Sequence, residues 1–193
     1  MENTIVKHGG KFKGHFLMEV FDSRDPLTGK RFRDAGGRFM PRQLISKAEC
    51  DNIITDQGLN HFLNAVLHGE TQISPWYCLL FEDDYTPDGG ETYAVPEFTE
   101  STAYAEATRP EYVEANSTAK STTNSANKAV FTANASKTWY GAALVGGGTD
   151  ASTKGDAAGG GKLLCAGKFG TAQPVISGNV VNLTYTVTSA DAG

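Results

Sequence analysis

Hydrophobic and polar positions alternate most cleanly near the end of the chain. In residues 180–188, Val181, Leu183, Tyr185 and Val187 fall on one face, while Asn182, Thr184, Thr186 and Thr188 fall on the other. That is the period-two pattern of a half-buried strand. Residues 128–133 repeat it, with Ala129, Phe131 and Ala133 turned inward. After the turn residues Asn134, Ala135 and Ser136, the run 137–145 carries Thr138, Trp139 and Tyr140 and then becomes apolar on both faces. It is predicted to be a strand between two layers, adjoining the one before it at the centre of a sheet. Trp76–Phe81, 111–115, 162–169 and 173–176 supply further short strands. The pattern predicts a mainly β protein of about six or seven strands. Its expected architecture is an antiparallel β-sandwich, with the jelly roll among the arrangements open to it.

One stretch changes period. Ile53, Ile54, Leu59, Phe62, Leu63, Val66 and Leu67 recur at three- and four-residue steps, and His68-Gly69 closes the run. This predicts a single N-terminal helix over 56–68. Ser46 and Glu49 match a capping box, which predicts a separate turn beginning near Ser46. The apolar face at Leu59, Phe62 and Val66 is a candidate for self-association. The acidic segment 82–91 reads as a solvated loop, and the glycine-rich segment 146–161 as a flexible one.

Residues 1–45 read differently. Single aromatics stand among glycines and charges, and Gly9-Gly10, Asp25-Pro26 and Gly36-Gly37 interrupt any regular element. Val20-Phe21 alone suggests a piece of strand. Charge sharpens the division. Residues 1–47 hold ten Lys/Arg against five Asp/Glu, 10 − 5 = +5, whereas residues 48–193 hold seven against seventeen, 7 − 17 = −10. The expected organisation is an extended basic arm over 1–45 and a helix-plus-sandwich domain over 46–193. The candidate partner-binding residues of the arm are Phe12, Phe16, Phe21, Arg31, Phe32, Arg33, Arg38 and Phe39. Rings spaced along a basic chain suit pockets on an acidic partner; an arm wrapped over its own domain would use them in the same way. Nucleic acid fits less well, because five acidic residues offset the basic ones.

Motifs for chemistry are missing from the pattern. There is no Gly-x-Ser-x-Gly elbow, His-Glu-x-x-His pair, dinucleotide fingerprint or Cys-x-x-Cys pair. Gly161-Lys162 ends a glycine-rich run, yet Asp156 stands where the first phosphate-loop glycine belongs and Leu163 where Ser or Thr must meet magnesium. Asp84, Asp88 and Gly89 approach a calcium loop, but Val95 holds its bidentate glutamate position. His61 and His68 lack the spacing and further donors of a zinc site and read as polar helix edges. Cys50, Cys78 and Cys165, odd in number and far apart, suit reduced buried thiols in a chain made in the cytoplasm. Neither a signal-peptide core nor an 18-residue apolar run appears. The expectation is a protein that is not an enzyme, binds no cofactor and no metal, and does not engage a membrane.

Several stretches carry a resemblance. They are Thr55-Asp56-Gln57-Gly58-Leu59-Asn60, Trp76-Tyr77 with Leu80-Phe81, Ala107-Thr108-Arg109-Pro110, Asn124-Ser125-Ala126, Tyr140-Gly141-Ala142, the 163–169 strand, and Val181, Leu183, Tyr185-Thr186 and Thr188 near the end. Over about 55–190 the chain resembles a family of small tailed-bacteriophage virion proteins. The resemblance implies a virion component made in the host bacterial cytoplasm, with a capsid cement or decoration protein as the favoured role. Its expected partners are the major capsid protein and copies of itself, as a trimer or dimer on the particle. A head–tail joining, tail or fibre component is the alternative, and a carbohydrate-binding sandwich module is a third reading.

Overall fold

Strand β1 (Gly10–Asp22) pairs along its length with β9 (Val180–Asp191) on one side and, from Gly14 onward, with β2 (Gln43–Ile54) on the other. A strand bonded on both edges lies inside a sheet, so residues 10–22 are not an arm. The computed structural model describes residues 10–22, 30, 35–37 and 43–191. The expected boundary at residue 45 is therefore corrected: β1 and β2 belong to the sandwich. Alternation explains why. Phe16, Met18 and Val20 point inward and are fully buried, while Lys13, His15, Leu17 and Glu19 face outward at least in part. The same correction removes the Ser46 turn, since Ser46 pairs with Val20 within β2.

Helix α1 (Asp56–Leu67) follows β2 directly, close to the span its periodicity predicts. The remaining strands are β3 (Trp76–Phe81), β4 (Glu111–Tyr112), β5 (Ser121–Thr123), β6 (Ala129–Thr132), β7 (Lys137–Gly146) and β8 (Lys162–Val175). Among the described residues they form one antiparallel sheet in the order β4-β3-β7-β8-β2-β1-β9-β5, with β6 also on β9. β2 is the hinge of the curl, pairing with β1 over most of its length and with β8 at Ile53 and Ile54. The result is mainly β and sandwich-like. β6 and β7 do not adjoin: β6 pairs with β9, and β7 lies between β3 and β8. β7 is apolar on both faces and takes an interior place, whereas half-buried β6 has a single partner strand.

Two apolar clusters hold the fold. The larger fills the space between the two halves of the sheet, with Phe16, Phe131, Trp139, Leu144, Leu183 and Tyr185 among its members. Tyr112 and Tyr185 meet across it edge to face, their centroids 5.6 Å apart. Phe131 and Leu183, turned inward by the alternation, are fully buried. The smaller cluster lies on the opposite face of β3, β7 and β8, where Leu79, Phe81, Ala143, Val145 and Leu163 are covered by Tyr93, Phe98 and Ala151. Those covering residues come from segments 82–110 and 147–161. The glycine-rich segment is thus folded rather than a loose tether. Thr149 N donates to Gly159 O at 2.8 Å, and the ends approach so closely that a Cβ on Gly148 (φ +66°) would lie 2.1 Å from that oxygen.

Candidate functional site

Arg109 organises the outer layer. It is 2 % exposed, and all five of its N–H groups are engaged. Nε donates to Glu100 Oε1 at 2.9 Å and Nη2 to Glu100 Oε2 at 2.5 Å, a two-pronged pair. Nη1 donates to Tyr93 Oη at 3.0 Å and Ala151 O at 2.8 Å, and Nη2 also to Asp156 O at 2.8 Å. Tyr93 Oη in turn donates to Asp156 Oδ2 at 2.7 Å. Burial by itself would depress the Arg109 pKa, but the Glu100 carboxylate outweighs it and the net direction is upward. Asp156 is held below the usual carboxylate range, first by the Tyr93 hydroxyl and then by the Gly159 N–H. Next to this network is a cavity of about 310 Å³, with Leu79, Val145, Leu163 and Phe98 in its wall. Each donor of the guanidinium is already spent within the protein, so Arg109 has none to offer a ligand there. The group is a clamp that ties two loops to the sheet.

The Thr55-Asp56-Gln57-Gly58 stretch acts the same way at the root of α1. Thr55 Oγ1 accepts from Gly58 N at 3.1 Å as the N-cap and donates to Leu163 O at 2.5 Å. Asp56 N donates to Gly89 O at 2.9 Å. Gln57 Oε1 accepts from Tyr93 N and Leu163 N. Gly58 lies so close to β8 that a Cβ would come within 2.3 Å of Leu164 O. The residues that carried much of the resemblance are therefore structural fasteners.

His61 is buried, not a polar edge of the helix. Ile73 N donates to its Nε2 at 3.4 Å, which leaves the proton on Nδ1, 3.3 Å from Glu70 Oε1. Its ring meets Trp76 edge-on. Glu70 is shifted downward, chiefly by Asn64 and then by His61 and Lys162. Among the described residues no group of three or more His, Cys, Asp or Glu side chains is placed to hold a metal ion. Cys50, Cys78 and Cys165 are unpaired and buried, and burial pushes the Cys50 and Cys165 thiols up to about 12. Trp139 is fully buried and Trp76 half-buried, so neither offers an open stacking platform for sugars.

Much of what α1 turns outward is apolar, although Asp56 and Asn60 are exposed too. Only Gly58 and His61 of the helix are buried, and the exposed face carries Leu59 (39 %), Leu63 (57 %), Val66 (78 %) and Leu67 (78 %). Of the self-association candidates, Leu59 and Val66 lie on this face. Phe62, half-buried, leans on Phe12 of β1 at 5.2 Å. Phe12 is 49 % exposed and continues the patch onto the sheet. The other arm candidates part company. Phe16 is a core residue whose ring lies tilted against Tyr185, centroids 4.5 Å apart, a correction that follows from its inward register in β1. Phe21 is half-buried, paired with Leu44 and Val180. Arg31, Phe32, Arg33, Arg38 and Phe39 lie outside the described residues.

Leu63, Leu67 and the Arg109 clamp were not singled out as site residues from the sequence. One signal was present: Arg109 is the only arginine after residue 42 and stands in the acidic part of the chain. No protein-family model matches the chain, and no curated protein matches it.

Proposed function

We propose that this chain is a structural protein of a tailed-bacteriophage virion, a capsid cement or decoration subunit. It binds the major capsid protein of the assembled head and bridges neighbouring copies, with no catalytic step and no cofactor. The observation that carries the reading is the contrast in α1, whose root is fastened by Thr55, Gln57 and Gly58 while Leu63, Val66 and Leu67 stand in solvent. Large apolar side chains held outward on a rigid support mark a contact surface. Three unpaired buried thiols suit a chain folded in the reducing host cytoplasm before it joins the particle. The resemblance of the fastening motifs to small virion proteins supplies the virion context.

Quantitative mass spectrometry of purified virions tests this. On the order of hundreds of copies per particle is the expected result for a protein that follows the capsid lattice. A count of about six or twelve would move it to the portal axis or the tail. Absence from the virion would overturn the proposal.

A further inference from the structure

We propose that the cavity beside Arg109 is a binding site for a small organic cation, a primary amine carried on an apolar body. The proposal concerns the protein by itself and stands whether or not the chain belongs to a virion. The cavity holds about 310 Å³, the small end of the range for ligand sites. Leu79, Val145 and Leu163 of the sheet form one apolar wall, and Tyr93, Pro96 and Phe98 of the covering segment form another. Exposed Thr99 and Gly155 mark its mouth. Glu100, Arg109 and Asp156 bring charge into the same lining.

Donors and acceptors are unequal in that lining. The N–H groups of the Arg109 side chain and the Tyr93 hydroxyl are all engaged within the protein. The backbone N–H groups of Tyr93 and Leu163 are held by Gln57, that of Thr99 by Asp83 and that of Gly155 by Glu100. The Thr99 hydroxyl, at the mouth, can turn either way. Acceptors are left over. A carboxylate offers about four acceptor sites. Glu100 uses three, two on Arg109 and one on Gly155. Asp156 likewise uses three, on Tyr93, Ala158 and Gly159. An occupant must therefore bring the donors. Charge points the same way, since two carboxylates against one guanidinium leave the lining net negative. Asp83 beside Thr99, and exposed Glu97 between Pro96 and Phe98, add to this near the mouth. Lys154, next to Gly155, is turned to Tyr104, with Nζ 3.0 Å from its carbonyl oxygen. A carboxylate or phosphate would meet repulsion where the charged donors are already engaged. An ammonium group meets spare acceptors of opposite charge while the apolar walls take its body.

Phenethylamine, 2-phenylethanol and phenylacetate share one body and differ in the end group. Titrating each into the full chain, followed by methyl NMR, tests the proposal. Phenethylamine should bind with a Kd of about 1 mM or tighter. It should shift the methyl signals of Leu79, Val145 and Leu163 and leave Leu183, in the other cluster, unmoved. Phenylacetate should bind at least about tenfold more weakly, with the alcohol between them. Ala157→Leu, which fills the cavity from its lining, should abolish binding of amine and alcohol alike. Asp156→Asn keeps an acceptor for the Tyr93 hydroxyl but removes the charge. It should weaken the amine about fivefold and leave the alcohol unchanged, a split that a merely structural role would not produce. The wild-type comparison of the three ligands stands even where a substitution weakens the fold. Equal affinities for amine and acid, or a preference for the acid, would overturn the cation assignment. No methyl shift at about 10 mM amine, or shifts confined to residues outside the cavity, would overturn the site itself.

Discussion

The Arg109 clamp and the outer face of α1 are opposites in the same molecule. Around Arg109, a buried charge has every donor matched and its carboxylate partner is also bonded by Gly155 N at 3.0 Å. On α1, four large apolar side chains have water for a partner. The first region has committed its donors to holding two loops on the β3–β7–β8 face. The second has kept its apolar side chains open, and the helix is held by a glycine, a histidine and a cap instead of by its leucines. Stability and assembly are thus divided between residues, and substitutions can separate them.

The largest effect is expected at the clamp. Arg109→Met leaves Glu100 buried without its counter-charge and should cost about 3–5 kcal/mol in chemical denaturation. Loss of less than about 1 kcal/mol would mean that the network contributes little. Gly58→Ala comes next. The added methyl meets backbone at Leu164, which cannot swing aside, and about 1–3 kcal/mol is expected. Leu63→Ser, by contrast, should change monomer stability by no more than about 0.5 kcal/mol, since nothing packs on its exposed part. A loss comparable to that of Gly58→Ala would show that the leucine face supports the fold.

Acid should loosen the clamp in a defined direction. The Asp156 pKa is depressed from its ordinary 3.8, so its contribution is present above that value and is lost as pH falls through the lower folded value. Melting temperature should decline on acidification below about pH 4, and Asp156→Asn should flatten that part of the curve. The smallest signal is in the thiols. With Cys50 and Cys165 raised to about 12 by burial, thiol reagents at pH 8 should react only as fast as the protein unfolds. Rapid labelling of the native protein would place a cysteine nearer the surface than the core packing allows.

Part of this arrangement is legible in the sequence, and the boundary has physical causes. β3, β6, β7, β9 and α1 announce themselves because inward positions are large and apolar at one clear period. β1 alternates just as regularly through Phe16, Met18 and Val20, but Gly14 and His15 before them and Glu19 among them give it the texture of an arm. β2 turns only Ala48, Cys50 and Ile54 fully inward, and its Ser46–Glu49 spacing imitates a helix cap. Segment 147–161 looks flexible from its glycines, and residues distant in sequence, Tyr93, Glu100 and Arg109, give it a fixed place. The clamp joins residues 93, 100, 109, 151 and 156 through the tertiary fold, so no local spacing encodes it. The exposed face of α1 was visible as periodicity. Which side faced water was not, because a small residue, Gly58, made the buried contact.

Amide hydrogen exchange of the full chain, free and bound to purified heads, tests the division most directly. Protection should rise on binding across residues 59–67 and stay constant across 93–109 and 147–161, whose bonds are already made within the free protein. Protection that rises in the clamp loops while α1 stays unchanged would contradict the assignment of assembly to the helix and stability to Arg109.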